Sequence, residues 1–182
     1  VNIPESVTFE EAIALTQSLM SQMEAGELSP QVSADAIAQL VKSENGARGF
    51  FVTYLTSEGT LADNPSPEVV QALQSSPDIV AELLVKNLAM SAAQAVAHRR
   101  KGNEEMAQGS ERVRSRTAHL IEQLKLPQIR DRAVALHESA ATQEGAYKTF
   151  LQRWGYDAQQ RQVMCKALEQ VLTEIDNPHL EE

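Results

Sequence analysis

A single cysteine, Cys165, stands in the whole sequence, which excludes an intrachain disulfide framework and fits a reducing compartment. Basic residues are nearly absent from the first half: residues 1–97 carry three against twelve carboxylates. No uncharged apolar run approaches the roughly 18–20 residues of a membrane-spanning helix, and the longest, "NLAMSAAQAVAH", contains Asn, Ser and Gln. No membrane span is therefore expected. The first residues, "VNIPESVTFEEAIAL", lack the basic start and apolar centre of a secretory signal, and the expected location is cytoplasmic.

Catalytic signatures are missing as well. "GARG" lacks both the lysine spacing of a phosphate loop and the dinucleotide fingerprint. The four histidines, His98, His119, His137 and His179, lie far apart, and none sits in a Glu-x-x-His motif, which argues against a carboxylate di-iron bundle. His119 and Glu122 place two metal-ligand types one helical turn apart, short of the three or four ligands that zinc requires. Cys165 lies between Met164 and Ala167 with no base nearby in sequence and reads as a structural thiol. No metal, cofactor or catalytic residue is assigned. Serine, histidine and carboxylate can still converge in space without a local signature, so an enzymatic reading stays open as the alternative.

What is present is helical. The chain has 182 residues, 42% hydrophobic and 23% charged, a globular composition large enough to bury a core. "LSPQ", "PSPE" and "SSPD" repeat one device: Ser29, Ser66 and Ser76 as helix N-caps, then Pro30, Pro67 and Pro77 at the first helical position. Thr8 with Glu11 and Asp157 with Gln160 read as capping boxes. Gly26, Gly102-Asn103, Gly155 and Asn177-Pro178 read as breaks, with fraying of the last residues. Residues 49–56, "GFFVTYLT", alternate like a strand yet also fit a helix face. Helix is expected, because a lone strand has no partner elsewhere. The expected fold is all-α: a bundle of about seven to nine helices with a long central hairpin. A single domain over 1–182 is expected, with a possible N-terminal arm (1–57), a connection at 57–67 and a main bundle at 67–176. The alanine-rich face of the long helix after Pro77 suits close helix packing, within the chain or in a homodimer.

Two features remain as candidate sites. Seven of the eight aromatic residues fall in two groups: Phe50, Phe51 and Tyr54; and Tyr147, Phe150, Trp154 and Tyr156. Such stripes usually pack a core. The functional alternative is a small-molecule pocket lined by Phe50, Phe51, Tyr54, Tyr147, Phe150 and Trp154.

The second feature is charge. The chain carries a net −9, yet residues 98–132 hold nine basic and five acidic groups. Arg99, Arg100 and Lys101 dress one helix end, and Glu104 and Glu105 the start of the next. Met106, Gly109, Val113, Thr117, Leu120, Ile121 and Leu124 trace the second helix's expected apolar face, flanked by Arg112, Arg116 and His119. Arg114 is expected to pair with Glu111, and Glu122 with His119. Arg112 and Arg116 lack such a local partner. An internal carboxylate would explain them, and so would docking of an acidic protein segment or anionic ligand. Nucleic acid is a poor candidate for so acidic a chain with no aromatics between the arginines. The leading expectation is a non-enzymatic interaction or regulatory module contacting its partner through Arg99, Arg100, Arg112, Arg116 and His119.

The runs "GARGFFVTYLTSE", "NLAMS" and "HRRKGN" resemble conserved uncharacterised helical proteins of cyanobacteria. The resemblance covers much of the chain and implies neither an activity nor a site residue.

Overall fold

The structure, a computed structural model, describes residues 1–178. His179 and the expected fraying of the terminus lie outside the described residues. Among those described there are nine helices and no strand: α1 (Phe9–Glu24), α2 (Pro30–Leu40), α3 (Glu44–Thr56), α4 (Pro67–Gln74), α5 (Pro77–Arg100), α6 (Glu104–Leu124), α7 (Pro127–Thr142), α8 (Lys148–Trp154) and α9 (Ala158–Asp176). Residues 49–56 are helical, within α3.

Local chemistry accounts for most helix starts. The Thr8, Ser29 and Ser66 hydroxyls accept from the N–H of Glu11, Val32 and Val69 at 3.1, 3.2 and 3.3 Å. Pro77 opens α5, and the Ser76 carbonyl accepts from Val80 N at 3.0 Å. Asp157 and Gln160 form the reciprocal capping box at 2.9 and 3.1 Å. Ser43 caps α3 through the N–H of Gly46 at 3.1 Å, a cap not anticipated above. Gly26, Gly102 and Gly155 all adopt positive φ, 70°, 70° and 64°, at the expected breaks.

The chain divides into two compact units, Val1–Leu83 and Leu84–Glu182. The division falls inside α5, between two consecutive leucines. By length and composition α5 is apolar enough to cross a membrane, with a mean hydropathy of 1.3 over its most apolar window, but 56% of that window is buried within the protein. That is the pattern of a core helix.

In the first unit α1 packs against α3 and α2 against α4. Leu19, Ile37, Leu40, Phe50, Phe51, Tyr54, Leu55 and Leu73 are fully buried. The α1–α3 contact turns on Gly49. A Cβ placed there would collide with Ala12 Cβ and lie 2.8 Å from the Phe9 carbonyl oxygen and 3.0 Å from Ile13 N. A Cβ on Gly46, one turn earlier, would collide with the Leu40 carbonyl oxygen. In the second unit α9 packs on α7 and α6, and α8 on α7. Ser139, fully buried, accepts from Tyr147 N at 3.1 Å and ties the start of α8 back to α7.

An exposed helical glycine gains about 1 kcal/mol on replacement by alanine. At Gly49 the sign should reverse, because the obstructing atoms include backbone that cannot rotate away. Gly49→Ala is expected to lose about 1–3 kcal/mol net, the usual penalty for overpacking, read as a lower urea midpoint. Gly109→Ala, where a Cβ meets nothing within 4 Å, should not lose stability in the same melt.

Candidate interaction surface

At the hairpin end of α5 both arginines are matched by carboxylates. Arg99 binds Glu104 at 3.3 Å and Glu111 at 3.1 Å. Arg100 grips both oxygens of Asp157, the second at 3.2 Å, and reaches Gln159 Oε1 at 2.6 Å. The expected Arg114–Glu111 pair forms at 2.8 Å. Hydrogen bonds from Glu111 and Glu104 raise the Arg99 pKa, and that from Asp157 raises Arg100. Partial burial pushes the Glu111 carboxyl up, but its bonds to Arg114 and Arg99 outweigh this and leave it lowered. Asp157, held by Arg100 and by the N–H of Gln160, drops to about 2.

The flank of α6 departs from its expected pattern. Its buried side chains are Ala107, Ser110, Arg116, Thr117, Leu120, Ile121 and Leu124. Met106 is 53% exposed, and the Cβ position of Gly109 faces open space. The inward face is thus rotated toward the small residues. Arg116 is only 4% exposed, and a buried guanidinium belongs to the internal interactions of a fold and not to a docking stripe. Arg112 is exposed and has no ion pair or hydrogen bond among the described residues. His119 Nδ1 lies 3.8 Å from Glu122, a loose surface pair.

The aromatic groups lie in different units. In the first unit Phe50 stacks on Tyr54 at 5.0 Å and meets Phe51 edge-on at 5.2 Å. All three are buried, and the Tyr54 hydroxyl donates to the Leu61 carbonyl at 3.2 Å. In the second unit Tyr147 and Phe150 meet edge-on at 6.3 Å beneath the Lys86 ammonium. Burial lifts the Tyr156 phenol to about 12. Trp154, which helical spacing groups with Tyr147 and Phe150, is instead 53% exposed at the end of α8. Arg153 lies over its ring at 5.7 Å. The Cys165 thiol, half-buried, points to the His137 carbonyl at 3.8 Å, and burial raises its pKa. His137 Nε2 joins Glu169 at 2.8 Å, linking α7 to α9. No three His, Cys, Asp or Glu side chains gather among the described residues.

One feature of the first unit is not legible in the sequence. An open groove of about 500 Å³ runs along α1 and α3, with Ile13, Met20 and Val52 among its walls and Glu24 and Glu58 toward one end. Its walls come from segments about 30 residues apart, so no local motif marks it.

Fold and surface together define an all-helical protein of two compact units with charge-matched helix ends. The family described as "Uncharacterised conserved protein UCP020893" matches residues 8–171, and the chain belongs to that family. No curated protein and no solved structure matches it.

The depressed Asp157 pKa has a pH signature. Because the folded state favours ionised Asp157, its contribution is complete above the ordinary value of 3.8 and is lost as pH falls toward about 2. The pair is exposed, so the effect is small. Asp157→Asn keeps an N-cap but removes the charge. Its thermal midpoint should lie slightly below the parent's at pH 7, and the gap should close between pH 4 and 2. A gap independent of pH would show that the Arg100 pair adds nothing.

Proposed function

We propose that the chain is a non-enzymatic protein-interaction module whose second unit docks an acidic segment of a partner protein. The observation that carries this reading is Trp154, the only tryptophan in the sequence, half exposed at the end of α8 with Arg153 against its ring. Tryptophan and arginine are the residue types most enriched among side chains that dominate binding energy at protein interfaces. An exposed indole gives up apolar burial that a core position would supply. α8 contains no carboxylate, and of its two cations Lys148 holds Glu144 at 2.9 Å while Arg153 remains. Arg153 has no carboxylate partner among the described residues, so its charge is available to an acidic segment. Arg112, likewise exposed, is what remains of the wider basic stripe on the hairpin; Arg99 and Arg100 already hold carboxylates, and Arg116 is buried. His119 is secondary here, being next to Glu122.

The sole tryptophan makes the reading directly measurable. Affinity purification with the parent and with Trp154→Ala/Arg153→Glu, quantified by mass spectrometry, should show a protein bearing an acidic segment that the double variant loses. A synthetic copy of that segment should then change Trp154 emission and bind the parent at least tenfold more tightly than Arg153→Glu. Identical partner sets with unchanged helicity would refute the proposal.

A further inference from the structure

We infer that the α1–α3 groove of the first unit is a second docking site, one that takes a cationic amphipathic helix of a partner protein. This stands independently of the Trp154 reading. The groove has an apolar side and an acidic end. Nearly buried Met20 and half-buried Ile13 line it from α1, while Val52 is 43% exposed on α3. A valine so exposed on the wall of a concave surface offers apolar area for a partner to cover. Toward the C-terminal ends of both helices stand Glu24 and Glu58, both exposed and neither holding an ion pair or hydrogen bond among the described residues. Gly59 comes so close to the Glu24 carboxylate that a Cβ there would touch Oε1, which keeps this end of the groove narrow.

Charge selects the occupant. Residues 1–83 hold two basic and twelve acidic side chains, a net −10, while residues 84–182 hold fourteen and thirteen, a net +1. The chain's net negative charge therefore belongs to the unit that carries the groove, while the second unit's carboxylates are balanced by its cations. Of its two cations, Arg48 is engaged over the Phe9 ring at 4.9 Å. A segment entering this field is attracted if cationic and repelled if anionic. Ile13, Met20 and Val52 offer an apolar strip something to cover, beside the polar Gln17 and Ser21. The Thr53 and Thr56 hydroxyls, which would otherwise compete for polar contacts, are satisfied by the carbonyls of Gly49 and Val52 at 2.9 and 2.5 Å. Ile13 to Glu24 covers twelve residues of α1, about 16 Å at 1.5 Å for each step, or about three helical turns. That length suits an amphipathic helix whose i, i+3/i+4 and i+7 positions face the groove, with lysine or arginine at the end nearest Glu24 and Glu58.

The test uses the whole chain and two 18-residue synthetic helices, one with leucine and lysine faces and one with leucine and glutamate faces. Amide-resolved NMR titration of the parent with the leucine–lysine peptide should shift residues of α1 and α3 around Met20 and Val52. Isothermal titration should show the leucine–glutamate peptide binding at least tenfold more weakly. Val52→Asp and Glu24→Lys/Glu58→Lys change exposed positions and should keep helicity, and each should weaken the leucine–lysine peptide at least tenfold. Trp154→Ala should leave it unchanged. No binding, equal binding of both peptides, shifts confined to other elements, or affinity untouched by the groove variants would each overturn the inference.

Discussion

Close approach between helices is the constraint on which this structure rests, and scarce aromatics make it necessary. Eight aromatic residues cannot fill the interior of a 182-residue chain, and more than a third of the buried hydrophobic positions are alanine. Alanine fills little volume, so interiors reach native density only if helix backbones come near one another. Gly49 against Ala12 is the extreme case, where even a methyl group has no room. The alanines of α5, from Ala81 to Ala95, supply the same kind of surface along the longest helix.

Small residues also face inward on α6. A hydrophobicity pattern assigns Met106 and Gly109 inward because methionine is apolar and spaced correctly from Val113. The observed inward residues are Ala107 and Ser110. When backbones approach closely, small side chains must face the neighbour and a long one is turned out. That rotation also carries Arg116 into the interior while leaving Arg112 in solvent. Two arginines one turn apart, equivalent in sequence, acquire different environments from a modest change of helical phase.

Electrostatics divides along the chain in a related way. The basic block around the α5–α6 turn looks like a docking surface when only local carboxylates are considered. Glu111 and Asp157, twelve and 57 residues from the arginines they bind, neutralise much of it. The groups left without a carboxylate or cation among the described residues include Arg112 within that block, Arg153 elsewhere in the second unit, and Glu24 and Glu58 in the first.

The sequence by itself determined where most helices begin. Capping serines, the Asp157–Gln160 box and positive-φ glycines act within four residues of the ends they define, so an all-α bundle of about seven to nine helices was legible there, and nine are found among the described residues. It also placed Phe50, Phe51 and Tyr54 in a core. Only the tertiary structure decided which polar and apolar groups are left over: the outward Trp154, the buried Arg116, the Arg100–Asp157 pair and the α1–α3 groove. The physical reason is range. Caps and breaks are set by a few consecutive backbone groups, whereas exposure and charge matching depend on which distant side chains the packed helices bring together.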